Sequence, residues 1–190
     1  MSTYEPRSRG LPALDGWTNG AKALTVVIET PAGSRSKFKY DETLGVFRLD
    51  KLLPMGASFP FDFGFIPGTR GEDGDPLDVL VLGEEPTFSG CIMTVRLLGI
   101  IEAEQTAQGE TIRNDRLLAT PETRKIHPRV RSLGDLPAQQ LDAIEHFFIA
   151  YNEAEGRRFV PLRRRGPAFA IRHVARGLRD ASGARPGGST

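Results

Sequence analysis

The sequence predicts an α+β domain, a closed or strongly curved antiparallel sheet with helices packed on its outside. Three observations carry this. The earlier part of the chain reads as short β-rich runs separated by glycine and proline turn signals. Phe59, Phe61, Phe63 and Phe65 recur at period two, which in an extended chain puts all four on one face as a core stripe. The last third then turns to helical periodicity. At 190 residues the chain is long enough for one well-cored domain.

In order, residues 1–22 are rich in Ser, Gly, Pro and charge and are expected as a flexible arm. Residues 23–181 are expected as the domain and 182–190 as a disordered tail. Residues 24–30 are β-rich and end at the turn signal Pro31-Ala32-Gly33-Ser34. Residues 36–41 alternate as Lys37, Phe38, Lys39, Tyr40, which suggests a hairpin with the strand before them. Residues 46–49 follow Gly45, and 78–82, 91–101 and 111–119 complete the strands. Asp135 is placed to cap a helix over 136–155, with Pro137 in its first turn and Gly156 just past its end. Leu141, Ile144, Phe148 and Tyr151 line one face of it. A second helix over 168–181 would turn Ile171, Val174, Ala175 and Leu178 inward.

The net charge of +1 provides no global field to attract a polyanion. Arg157, Arg158, Arg163, Arg164, Arg165, Arg172, Arg176 and Arg179 crowd the C-terminal stretch, where a solvated helix face is the preferred reading over a nucleic-acid patch. Cys91 is the only cysteine, so no intrachain disulfide forms, and a reducing compartment is expected. Residues 1–20 lack an apolar signal segment, and no run is long enough to span a bilayer. These features predict a cytoplasmic protein. His127, His146 and His173 show no zinc-ligand spacing. The chain carries no P-loop, no dinucleotide fingerprint and no serine nucleophile elbow.

Asp73-Gly74-Asp75-Pro76-Leu77-Asp78 carries the most chemistry, with three carboxylates in six residues just before the apolar run Val79-Leu80-Val81-Leu82. Gly74 allows a sharp bend, and Pro76 pushes Asp75 into extended geometry. Carboxylates this close repel one another unless a cation sits among them, and hard oxygen donors select Mg²⁺, Mn²⁺ or Ca²⁺. A calcium EF-hand does not fit, because Leu77 and Asp78 stand where that loop needs a ligand and a glycine. The plainer reading is an Asx turn leading into a strand.

The segment from Asp73 to Val81 resembles the signature of the family I soluble inorganic pyrophosphatases. Further segments resemble that family in the right order over roughly residues 24–162: Val26 to Gly33, Lys37-Phe38-Lys39, Phe59 to Ile66, Leu97 to Ile100, Ala119-Thr120-Pro121, Leu133 to Leu136, and His146-Phe147-Phe148 leading to Tyr151. The resemblance implies an OB-like five-stranded β-barrel flanked by helices. It implies metal-dependent hydrolysis of pyrophosphate to two phosphates with several Mg²⁺ ions, Mn²⁺ being an alternative, and a homo-oligomer as in bacterial relatives. Asp73, Asp75 and Asp78 would hold metal, and Asp75 would also be the catalytic group that orients and deprotonates water. Lys37, Lys51 and Arg116 would bind phosphate, Tyr151 would donate a hydroxyl hydrogen bond, and Glu29 would reach metal through water.

The chain also departs from the family pattern. Lys39 stands in place of a glutamate, Lys51 in place of an arginine, and Phe59 and Phe63 in place of tyrosines. Gln105 and Asn114 stand at the positions of two metal-binding aspartates, Arg116 replaces a lysine, and Asn152 replaces another. Strand alternation turns Asp115 to the opposite face unless a bulge intervenes, and Glu102, Glu104 and Glu110 are candidates to substitute for a lost ligand. These changes predict a pyrophosphatase that is slow, demands high Mg²⁺ or takes a larger phosphoanhydride. The competing expectations are a non-catalytic phosphate-binding relative and a single-strand nucleic-acid module. The latter is disfavoured for want of exposed stacking aromatics.

Overall fold

The computed structural model describes residues 17–18, 23–122 and 130–183. Five strands close into a ring: β2 (Ala23–Thr30), β5 (Asp62–Phe65), β6 (Asp78–Val81), β9 (Arg116–Pro121) and β7 (Ile92–Ala107), which returns to β2. This is the OB-like barrel the sequence implies. Three further strands extend it. β1 (Trp17–Thr18) pairs with β2, while β8 (Glu110–Arg113) and β10 (Arg158–Arg165) pair with β7. β3 (Ser36–Asp41) and β4 (Val46–Leu52) form a separate hairpin. Two helices, α1 (Ala138–Glu153) and α2 (Pro167–Gly183), pack outside.

The ring is antiparallel except for β6 and β9, which run parallel. Parallel neighbours need a long crossover, and the chain of β7 and β8 between them supplies it. The strands are buried on both faces. Val79 and Val81 join a core with Leu24, Val26, Ile28, Leu117 and the α2 residues Ala170 and Val174. Leu80 and Leu82 join a second core with Phe59, Phe63, Leu98, Leu118 and the α1 residues Ile144 and Phe148. Such double burial explains why these strands read as continuous apolar runs rather than alternating ones.

Several local expectations are corrected. β3 hairpins with β4 and not with β2, because both edges of β2 are taken by β5 and β7. The Thr30 hydroxyl instead bridges to the backbone N–H and C=O of Phe38 at 3.0 and 3.3 Å. Residues 111–119 form two strands, because the Asp115 carboxylate accepts a bond from the Ala103 amide at 2.8 Å and turns the chain between β8 and β9. Asp135 does not cap α1. Its carboxylate accepts bonds from the Arg131 and Ser132 amides and closes a 3₁₀ turn at Leu133–Asp135, leaving Pro137 at the helix cap.

The arginine-rich stretch read as helix face contains β10, where Phe159 is buried against Phe148 and a bulge falls just after Pro161. Arg164 there pairs with Asp142 and Glu145, and Arg165 with Glu102. On α2, Ile171 faces solvent, and the close seam runs through Ala170, Val174 and Gly177. Gly177 lets the helix approach so near that an added Cβ would lie 2.8 Å from Leu77 Cδ1. Trp17–Thr18 lie within the expected arm. The rest of that arm, His127 and the tail beyond Gly183 lie outside the described residues.

Candidate active site

The aspartate segment is a turn before it is anything else. Gly74 takes φ +86°, a left-handed conformation that suits glycine. The Gly71 amide donates to the Asp75 carbonyl at 2.8 Å, and the Asp75 amide donates to Asp73 Oδ1 at 3.1 Å. The Asx turn of the plainer reading is therefore present, and it sets where the carboxylates point. Two anchors hold it to the rest of the fold. The Thr69 hydroxyl donates to the Ile66 carbonyl and accepts from the Leu77 amide, and the Arg70 amide donates to the Gly177 carbonyl at 3.0 Å.

The turn opens onto a cavity of about 420 Å³ at one end of the barrel. Lining it are Asp73, Asp75 and Asp78 from the turn, Glu29 from β2, Lys37 and Lys39 from β3, Lys51 from β4, Arg116 from β9 and Tyr151 from α1. The two-residue spacing of Lys37 and Lys39 puts both on the same side of β3. Lys37 Nζ lies 4.8 Å from the Phe63 ring centre and 5.8 Å from that of Tyr151. Lys51 Nζ bonds Glu155 Oε2 at 2.6 Å and lies 5.6 Å from the Tyr151 ring centre. All eight residues expected at the site thus share one cavity.

Two side-chain cations already sit among the aspartates. Lys39 Nζ bonds Asp75 Oδ2 at 2.8 Å, and Arg116 Nη1 lies 2.7 Å from Asp78 Oδ2. The spacing of the aspartates alone predicts only a metal among them. Arg116 is 4% exposed, with its guanidinium 5.0 and 5.5 Å from the ring centres of Phe148 and Phe159. Its Nη1 also donates to Asn114 Oδ1, and Asn114 Nδ2 donates to Gln105 Oε1 at 3.0 Å. A chain of side chains therefore runs from Gln105 through Asn114 and Arg116 to Asp78.

Elsewhere in the cavity burial disfavours negative charge. Burial pushes the Glu29 carboxyl up to about 7, against the pull of the Tyr40 amide and the Lys37 ammonium. Burial, with Asp78 next, also raises Asp73 above the usual aspartate range.

The profile of the inorganic pyrophosphatase family matches residues 26–181. The chain belongs to that family. Inorganic pyrophosphatases of Synechocystis and Streptomyces coelicolor are 38% and 42% identical over 135 and 133 residues, covering 71% and 68% of this chain and 78% and 77% of theirs. A solved inorganic pyrophosphatase from Thermus thermophilus superposes with a TM-score of 0.83 at 30% identity, covering 91% of this chain and 99% of that one.

Pyrophosphatases are metal-dependent as a family, and the donors here suit a hard dication. They are carboxylate oxygens, two of which belong to groups whose charge is disfavoured by burial and would be restored by a dication. Among the described residues, no three acidic, histidine or cysteine side chains converge on one ion. Asp75 and Asp78 are instead turned to Lys39 and Arg116. Of the candidate substitutes for lost ligands, Glu102 pairs with Arg113 and Arg165, and neither it nor Glu104 or Glu110 lines the cavity. Gln105 and Asn114 do line it. By sequence alone Lys39 stands out only as a reversed charge. The two-residue spacing from Lys37 was the signal that it shares the cavity.

Proposed function

We propose that this chain hydrolyses inorganic pyrophosphate to two phosphates, with Mg²⁺ as the working dication and Mn²⁺ as a substitute. The observation that carries the reading is one cavity in which aspartates meet a set of cationic side chains, inside a pyrophosphatase fold. Bound among Asp73, Asp75 and Asp78, the dication would supply charge neutralisation and acidify water. Glu29, buried behind them, would hold water toward that ion.

Lys37 and Lys51 grip phosphate oxygens from the β3–β4 side as point charges, and Arg116 does so from β9. Tyr151 orients the same oxygens through its hydroxyl. Asp75 takes the proton of the attacking water, for which its position at the cavity mouth is suited. Phe59 and Phe63 line the cavity without a hydroxyl, so they exclude water but donate nothing to phosphate.

Phosphate release from pyrophosphate and from tripolyphosphate, measured over a range of Mg²⁺ and Mn²⁺, tests the reading. Dication-dependent release with pyrophosphate preferred supports it. Tight pyrophosphate binding with no release would favour a non-catalytic relative. Preference for tripolyphosphate would move the substrate to larger phosphoanhydrides.

We also propose that the chain assembles as a homo-oligomer. Leu44, Val46, Leu49, Leu52 and Met55 are exposed on and around the β3–β4 hairpin, more apolar surface than a short hairpin usually shows water. Light scattering reads the mass directly. Among the described residues no helix is long and apolar enough to cross a membrane. Work in the cytoplasm is proposed from the lone, unpaired Cys91.

A further inference from the structure

Lys39 occupies a position that the rest of the cavity does not explain. Its ammonium bonds Asp75 Oδ2 at 2.8 Å and so neutralises the carboxylate proposed as both metal ligand and base. Both side chains are about half exposed, so neither is locked by packing. The pair spans 36 residues, joining β3 to the aspartate turn. Two residues earlier on the same strand, Lys37 sits over the rings of Phe63 and Tyr151. The lysine stem has four methylenes and turns freely, so the Lys39 ammonium can move between Asp75 and the space beside Lys37 without backbone change.

A dication and an ammonium compete for the same Asp75 oxygen. The dication brings more charge and closer contact, so it wins wherever free metal is abundant. Once displaced, the ammonium is repelled by the ion and attracted by any phosphate beside Lys37. Resting on the reading of Asp75 as a metal ligand, we propose that Lys39 is a substrate-binding residue held in reserve. It shields Asp75 while the cavity lacks metal, and turns to the pyrophosphate when metal takes the carboxylate. Metal binding then prepares the phosphate site, and the metal-free cavity holds its anionic substrate poorly, because the free cation is spent on Asp75.

This makes one substitution act in opposite directions at two ligands. In Lys39→Met, Mn²⁺ titrated alone, followed by the paramagnetic signal of the free ion, binds about three- to tenfold more tightly, because Asp75 no longer has a competitor. In the same variant, imidodiphosphate binding at saturating Mn²⁺, measured by calorimetry, weakens by about tenfold, because a charge is missing from the phosphate site. Lys39→Arg keeps the charge and restores both values toward wild type. A merely structural lysine would weaken both ligands together or neither. Unchanged Mn²⁺ affinity in Lys39→Met, or unchanged imidodiphosphate affinity, overturns the proposal while leaving the metal reading intact. A wild-type chain that binds no Mn²⁺ in the first titration overturns both.

Discussion

Arg116 Nη1 lies 2.7 Å from Asp78 Oδ2 because the two residues open adjacent parallel strands, β9 and β6. The register that pairs Val79 with Leu117 places them side by side at the barrel mouth. A fixed guanidinium therefore stands among the carboxylates before any metal arrives, clamped by Asn114 on one side and by the rings of Phe148 and Phe159 on the other.

Removing that guanidinium leaves Asp78 and Asn114 without their partner in a largely buried setting. Arg116→Met should lower unfolding free energy by about 3 kcal/mol, read by urea denaturation in the absence of metal. Arg116→Lys should cost about 1–2 kcal/mol, because it keeps the charge and loses the planar fork. Equal stability of all three proteins would show that the pair contributes nothing.

Asn114→Asp adds a carboxylate where the cavity now has an amide. Mn²⁺ affinity should rise by about three- to tenfold, since the cavity that would hold the ion gains a negative charge. Loss of the Asn114 amide bond to Gln105 should cost about 1 kcal/mol of stability without metal. Mn²⁺ titration and thermal melts in chelator separate the two effects.

Gly177 matters through what it lacks. In Gly177→Ala the new methyl would meet Leu77 Cδ1 at 2.8 Å and the Arg70 carbonyl at 3.2 Å, on the segment that carries the aspartates. Alanine gains about 1 kcal/mol of helix propensity, yet a net loss of about 1–2 kcal/mol is expected from overpacking. Displacement of the turn should also raise the Mg²⁺ concentration needed for half-maximal phosphate release. A variant more stable than wild type would show that α2 has slack against the turn.

The Glu102 carboxyl makes one stabilising contribution to the pH dependence of folding. Burial works to raise it, but hydrogen bonds and charge from Arg165 and Arg113 prevail and hold it below the usual 4.5. The unfolded chain binds that proton more readily, so the stabilisation is complete above pH 4.5 and is lost as pH falls through the lower folded value. Glu102→Gln should therefore be about 1–2 kcal/mol less stable at pH 7, with the gap closing in acid. A gap independent of pH would remove the ion pairs as its cause.

Much of this molecule is readable from its sequence. The barrel strands show as apolar runs, and the aspartate hexapeptide carries its own turn, since Gly74 and Pro76 act on neighbouring residues. What could not be read is mostly non-local. β10 hides because arginines and a proline obscure one anchoring aromatic, Phe159. The Lys39–Asp75 contact depends on how distant segments align, and no local spacing encodes that. Asp135 misleads because its carboxylate closes back onto the Arg131 and Ser132 amides, not forward onto the first turn of α1.

Asp75 is where the account is most exposed, since one carboxylate is asked to hold metal, accept a proton and release Lys39. Phosphate release from pyrophosphate by Asp75→Asn, at Mg²⁺ saturating for each protein, is the most direct measurement. The account predicts a fall of about a hundredfold or more with the fold intact. Rates equal to wild type would contradict it.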